Sequence, residues 1–110
     1  MLNIVMSRAA SGLLRALLDR AGPHRDRILL SEIRSVDWQS LTLTGERHQI
    51  QLRIPGPDAA GIVDPFIDGI EEAEFTICGH LLADIAVGGT PVRAADGSVT
   101  LAIEALTIAD

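Results

Sequence analysis

The sequence predicts an α+β fold, a two-layer sandwich in which two amphipathic helices pack on one face of a mostly antiparallel sheet of about six or seven strands. Apolar residues near the start of the chain recur at spacings of three and four, which is typical of an amphipathic helix. Later segments alternate apolar and polar residues between turn dipeptides such as Gly45-Glu46 and Asp96-Gly97. A length of 110 residues, 47% of them hydrophobic, suits one folded domain spanning residues 1–110.

The first helix is predicted from about Asn3 to Ala21. Either Asn3 or Ser7 suits the N-cap position, and Gly22-Pro23 is a stop signal after the last apolar position. Gly12 lies inside this helix, where glycine is less favourable than alanine, and we interpret it as a point of close approach to another element. The apolar stripe consists of Leu2, Met6, Ala10, Leu13, Leu17 and Ala21.

Three strands are predicted next. Residues 27–36 are rich in branched aliphatic side chains, and a bulge is expected near Ser31. Strict alternation on both sides of Gly45-Glu46 predicts a hairpin closed by a two-residue type II′ turn. This hairpin would pair Leu43 with His48.

A second helix is predicted to follow, with Asp58 at its N-cap. Pro65 interrupts it, because proline lacks the N–H that an internal helical position needs. We therefore expect a kink, or a fresh helix start with Asp64 as cap and Pro65 as first residue. The apolar face consists of Ile62, Val63, Phe66, Ile67 and Ile70.

The C-terminal part of the chain predicts two further hairpins. A three-residue loop, Cys78-Gly79-His80, joins strands over residues 74–77 and 81–87, and Asp96-Gly97 predicts a type I′ turn. The apolar phase then slips by one residue between Ile103 and Leu106, which predicts a bulge near Glu104-Ala105.

The alternation assigns side chains to the two faces of the sheet. The face under the helices is expected to carry Leu43, Ile50, Leu52, Phe75, Ile85 and Leu101. The opposite face is expected to carry Thr42, Gln49, Gln51, Glu74, Thr76, Leu82, Asp84, Ala86, Thr100 and Ala102.

Charge and composition exclude several classes of function. The net charge is −6 and all nine basic residues are scattered arginines, which argues against binding to nucleic acid. The absence of lysine excludes Schiff-base chemistry, and the absence of tyrosine excludes a phenolic acid or base. No apolar stretch approaches the length of a membrane span. A single cysteine, Cys78, makes no internal disulfide, which fits a cytoplasmic location.

No catalytic signature is present, and two loose groupings remain as candidates. Cys78, His80 and Asp84 supply a thiol, an imidazole and a carboxylate, and His80 and Asp84 are spaced to share one face of a strand. The alternative is an ordinary turn glycine beside a small buried thiol. His48 lies on the predicted apolar face, either as a base in a pocket or as a core histidine bonded to a backbone carbonyl.

No metal or cofactor is predicted. The three histidines, His24, His48 and His80, lie in separate elements without ligand-like spacing. The acidic run of Asp68, Glu71, Glu72 and Glu74 follows no calcium-loop spacing and is interpreted as a solvated face.

Two functional hypotheses follow. The first is a non-catalytic binding or assembly module, a homodimer or a partner of another protein, that associates through a sheet face or a sheet edge. It is motivated by the apolar or small residues Leu82, Ala86 and Ala102 on the second face. The alternative is a small enzyme or ligand carrier with a pocket between helices and sheet near His48 or His80.

Overall fold

A computed structural model describes residues 6–110. The elements are α1 (Arg8–Ala21), β1 (Leu29–Gln39), β2 (Thr44–Ile54), α2 (Ala59–Ile67), β3 (His80–Val87), β4 (Val92–Arg93) and β5 (Val99–Ala109), with 3₁₀ turns at Gly22–Arg27 and Ile70–Glu72. All pairings are antiparallel, in the order β1-β2-β5-β3, and β4 pairs with β5 beside β3. The α+β class and the antiparallel sheet are confirmed, but five strands are described rather than six or seven.

The first helix begins and ends as its capping residues predict. Ser7 is the N-cap, since its Oγ accepts a hydrogen bond from the Ala10 N–H at 3.1 Å. Gly22 ends the helix with a positive φ of 60°, a conformation that glycine adopts readily. The helix begins later than the predicted start at about Asn3, because Met6 and Ser7 are not helical, while Asn3 and the stripe residue Leu2 lie outside the described residues. The close approach at Gly12 is confirmed, because a Cβ there would lie 2.8 Å from Ile77 Cγ2.

The predicted hairpin at Gly45-Glu46 is wrong. Strand β1 extends to Gln39 and the turn is Ser40–Leu43, closed by the Ser40 N–H donating to the Leu43 carbonyl at 2.9 Å. The Ser40 Oγ accepts from the Leu43 N–H at 3.0 Å. This turn allows two strands of eleven residues to pair along nearly their whole length, which the shorter hairpin would not. His48 therefore pairs with Ser35 rather than with Leu43.

The bulge near Ser31 is confirmed, since the β1–β2 register shifts between Leu30 and Glu32. The bulge predicted at Glu104-Ala105 is wrong. Strand β5 keeps one continuous register against β2, and the irregularity lies instead in β3, between Leu82 and Asp84. Unbroken alternation along β5 places Leu106 and Ile108 on the face opposite Leu101 and Ile103.

Helix α2 continues through Pro65 instead of restarting there. Its last carbonyls are bonded from α1: Arg20 Nε donates to the Phe66 carbonyl and Nη2 to the Asp68 carbonyl, each at 2.7 Å. Cationic donors at a helix C-terminus are stabilising, so these bonds favour the C-terminal end of α2. Asp58 precedes the helix without capping it through its side chain and pairs with Arg27 instead.

The loops of the C-terminal hairpins differ from the prediction. Residues 74–77 form no strand, only an isolated bridge between Ile77 and His80 around a two-residue turn with Gly79 at φ 76°. The last hairpin has a three-residue loop, because Ala94 N–H donates to the Ser98 carbonyl at 2.8 Å. Of its residues only Gly97 has positive φ, whereas a type I′ turn needs two.

One core cluster joins both helices to alternate residues of the sheet. Leu13 and Leu17 of α1 and Val63 and Phe66 of α2 share it with one side of the sheet. The sheet members that are fully or nearly fully buried are Ile50, Leu52, Ile54, Ile85, Val99, Leu101, Ile103 and Ala105. We call this side the Ile50 face and the opposite side, which carries Gln49 and Gln51, the Gln49 face.

Several predicted face assignments need correction. Leu43 is exposed in the β1–β2 turn and Phe75 lies outside the sheet, so neither belongs to the Ile50 face. Thr42, Glu74 and Thr76 also lie outside the strands. Leu82 pairs with Thr107, which places it on the Ile50 face, where it packs against the core.

Candidate functional site

His48 is buried and held by two hydroxyl groups. Its side chain is only 1% exposed, on the Ile50 face near the end where β2 begins. Nδ1 lies 2.7 Å from Ser35 Oγ on β1, and Nε2 lies 2.8 Å from Thr107 Oγ1 on β5. The imidazole thus bridges three adjacent strands. The sequence predicted a backbone carbonyl as its partner, and the structure places two side-chain hydroxyls there.

Burial lowers the pKa of His48, because the charged imidazolium loses hydration. The nearby Glu46 carboxylate raises the pKa and His80 lowers it further, but both effects are smaller than that of burial. Glu46 accepts a hydrogen bond from the Ser7 hydroxyl at 2.7 Å. The neutral form suits this site, since one ring nitrogen donates, the other accepts, and hydroxyls do either.

The Ser35–His48 contact brings a hydroxyl and a base within hydrogen-bond distance, the first requirement of nucleophilic catalysis. The third member, Thr107, is a hydroxyl rather than a carboxylate, so no negatively charged group is bonded to the ring to stabilise an imidazolium. Thr107 is fully buried and Ser35 only partly exposed. The arrangement is therefore that of a satisfied polar bridge inside the core.

Ser35 and Thr107 were missed by sequence reasoning, because they lie 13 and 59 residues from His48 along the chain. The correct register of β1 against β2 would have identified Ser35, which is the direct cross-strand partner of His48.

The group of Cys78, His80 and Asp84 is not brought together. Cys78 is exposed. His80 Nδ1 bonds to the Cys78 backbone carbonyl at 3.1 Å and not to the Cys78 thiol. The bulge in β3 reverses the alternation, so His80 pairs with Ala109 on the Ile50 face and Asp84 with Leu106 on the Gln49 face. The expectation that His80 and Asp84 share a face is wrong for this reason.

Within residues 6–110, no three histidine, cysteine or acidic side chains are grouped closely enough to hold a metal ion. Of the acidic residues at the end of α2, Asp68, Glu71, Glu72 and Glu74 are all exposed. His24 is exposed in the 3₁₀ turn after α1.

The Gln49 face carries apolar side chains at one end of the sheet, the same end at which His48 lies on the opposite face. Leu106 and Ile108 are 8% and 7% exposed, yet neither belongs to the core cluster. Val36 and Leu81, on β1 and β3, are 56% and 57% exposed. Ala86 of β3 and the partly buried Trp38 of β1 lie on the same face.

A groove of about 340 Å³ runs across the Gln49 face. Its side-chain lining combines both charges with apolar groups, namely Arg34, Val36, Arg47, Asp84, Ala86 and Glu104. His48 also borders it, but the imidazole is bonded on the other side of the sheet and is not presented to the groove.

Among the described residues, no helix combines the length and the apolar character needed to cross a bilayer. No protein-family model, curated protein or solved structure matches this chain.

Proposed function

We propose that this protein is a non-catalytic assembly module that forms a homodimer through its sheet, by the Gln49 face or by the edge of β1. In this proposal the molecule is a two-layer sandwich, with both helices on the Ile50 face and the Gln49 face available to a partner. The shared core cluster of Leu13, Val63 and Leu101 supports that layering.

The proposal depends chiefly on the exposed apolar side chains of the Gln49 face. Val36 and Leu81 leave more than half of their surface in water, on either side of Leu106 and Ile108. Covering the exposed half of one such side chain contributes on the order of 1 kcal/mol. Clustered apolar surface of this kind is typical of interaction sites.

The edge of β1 is the second surface considered. It is eleven residues long and, in the described sheet, pairs only with β2, so its outer backbone groups are open to another strand. The Ser31 bulge and the charged side chains of Glu32, Arg34 and Asp37 interrupt this edge, and such features disfavour strand addition. These features favour the face over the edge.

The absence of catalysis is supported by the state of the candidate residues. His48 is locked between two hydroxyls, and Cys78, His80 and Asp84 point to different surroundings. The hydrogen bond between Ser35 and His48 favours the alternative, a small enzyme or ligand carrier. That alternative needs a ligand-accessible imidazole at His48 or His80. His48 is only 1% exposed, and the half-buried His80 has its Nδ1 bonded to the Cys78 backbone carbonyl. We also propose a cytoplasmic location, since the exposed thiol of Cys78 suits a reducing compartment.

Analytical ultracentrifugation tests the proposal. The expected mass is twice 11.7 kDa at micromolar concentration, decreasing on dilution. Leu81→Arg should weaken the dimer at least tenfold, because a charge would be buried on the Gln49 face. Leu41→Arg is the matched control, since Leu41 is fully exposed in the β1–β2 turn. A mass of 11.7 kDa at all concentrations would exclude self-association.

A further inference from the structure

We propose that two copies pack Gln49 face against Gln49 face, with the two-fold axis parallel to the strands and between β2 and β5. This inference rests on the proposed self-association and specifies its surface and its symmetry. The occupant of the Gln49 face is thus a second copy of this chain, recognised by the charge pattern of the face itself.

The charges on the Gln49 face are divided between the two halves of the sheet. Arg34 and Arg47 lie on β1 and β2, whereas Glu104 and Asp84 lie on β5 and β3. Glu32 on β1 is the exception and bonds to its neighbour Arg34 at 3.0 Å. Midway along the strands, the half of the face formed by β1 and β2 is therefore basic, and the half formed by β5 and β3 is acidic.

Two-fold symmetry distinguishes two ways of packing this face on itself. Face-to-face dimers have their axis in the plane of the interface. An axis parallel to the strands places β1 over β3 and β2 over β5 of the second copy. An axis across the strands places β1 over β1 and β2 over β2. The first brings basic halves onto acidic halves, whereas the second opposes like charges.

The strand register identifies the pairs that would meet. Arg47 pairs with Leu106 of β5. Glu104 is the next residue of β5 on the same face, about 7 Å from Leu106 along the strand. With the axis parallel to the strands, Arg47 reaches Glu104 of the second copy across that diagonal. Arg34 reaches Asp84 of the second copy in the same way. Each pair occurs twice by symmetry.

The same axis also brings the apolar side chains at one end of the Gln49 face into contact across the interface. Trp38, Gly45, Ile108 and Leu81 lie in one row across the four strands. The axis places Trp38 over Leu81 of the second copy, so larger side chains meet at the rim. Near the centre it places the Gly45–Ile108 pair of one copy over the same pair of the other, and within each pair the Ile108 side chain fills the space beside Gly45. In the next row the same axis places Val36 over Asp84 of the second copy, so Val36 is covered where the apolar end meets the charged pairs. Apolar contact supplies affinity in such an interface, and the charges set its orientation.

Charge reversal tests the arrangement. Arg47→Glu and Glu104→Arg are each expected to weaken the homodimer about tenfold or more, measured by ultracentrifugation at low salt. An equimolar mixture of the two variants should recover dimers of wild-type affinity, because both cross-interface pairs then have opposite charges. Arg47 and Glu104 are also neighbours within one copy, but mixing leaves that internal repulsion unchanged. Recovery therefore reports on the interface.

Arg15→Glu is the matched control, an equal change of charge at an exposed position of α1. It should leave the affinity unchanged, and circular dichroism should show every variant folded. If the wild type dimerises but both reversals behave like Arg15→Glu, or mixing gives no recovery, this arrangement is wrong while self-association stands. If the wild type itself is monomeric, the proposed self-association is wrong, and this arrangement is wrong with it.

Discussion

His48 illustrates how one side chain is fixed by its surroundings rather than by its neighbours in sequence. Alternation along β2 places it among buried positions, and burial alone would make an imidazole costly unless its nitrogens are bonded. Ser35 and Thr107 meet that requirement from two other strands. Because hydroxyls accept as well as donate, both bonds survive protonation, so desolvation remains the main reason that the pKa is lowered.

The lowered pKa predicts the sign of a pH dependence. Below the ordinary value of 6.5 the unfolded chain protonates its histidine more readily than the folded one does, so stability is complete above pH 6.5 and decreases as pH falls. His48→Gln should flatten this part of the curve of unfolding free energy against pH, measured by urea denaturation. It should also cost about 1–3 kcal/mol at neutral pH, through disturbed bonds to Ser35 and Thr107.

His24→Gln is the control, because His24 is exposed in the turn after α1. It should leave the slope unchanged. An NMR titration should also place the pKa of the His48 imidazole below 6.5. A value at or above 6.5 would contradict the account of His48 as an imidazole whose pKa is lowered by burial.

At the scale of elements, each helix depends on a contact with a segment far away in sequence. α1 approaches Ile77 at Gly12, and α2 has its C-terminal carbonyls bonded by Arg20 of α1. The second contact stabilises the C-terminal end of α2, which extends through Pro65 although local rules disfavour a proline there. The helices are thus joined to one another and to the segment before β3.

Two glycines that both lie inside helices, Gly61 and Gly12, should differ in how replacement by alanine changes the unfolding free energy. Gly61 in α2 has nothing within 4 Å of an added Cβ, so Gly61→Ala should raise the unfolding free energy by about 0.5–1 kcal/mol. Gly12→Ala should lose that gain or lower stability by about 1 kcal/mol, because the Cβ would lie 2.8 Å from Ile77 Cγ2. Thermal or urea denaturation compares them. Equal stabilisation by both substitutions would mean that Gly12 is not in tight contact with Ile77.

The whole molecule is broad and flat, with extents of 46 × 34 × 24 Å. Three strands have eleven residues and span about 36 Å, whereas the fourteen residues of α1 span only about 21 Å. Helix α1 is therefore shorter than the strands on which it packs. The polar row of Ser35 and His48 lies toward the end where β2 begins, beyond the most apolar part of the Ile50 face.

The proposed self-association would make the stability of the protein depend on its concentration. A dimer that does not survive unfolding gains free energy by mass action, so the melting temperature should rise by a few degrees for each hundredfold increase in protein concentration. Differential scanning calorimetry of the wild type and of Arg47→Glu measures this effect. The variant should show a smaller rise in the range where it is monomeric. A wild-type melting temperature independent of concentration would contradict the proposed homodimer.

Some features were determined by the sequence itself. The caps of α1 at Ser7 and Gly22, the bulge at Ser31 and the burial of Ile50 and Leu52 all follow from chemistry within a few neighbouring residues. A cap, a bulge and an alternation each express a local preference for backbone shape or for one buried side. His48 was placed correctly on the buried side for the same reason.

Only the tertiary structure decided strand register and what depends on it. Gly45 has the chemistry of a turn, yet it lies inside β2 because β1 and β2 pair over almost eleven residues. Leu106 and Ile108 belong to the Gln49 face because β5 keeps its register with β2, and the bulge in β3 separates His80 from Asp84. Pairing energy is summed over the full length of partner strands that are distant in the chain, and a local pattern carries no information about that sum.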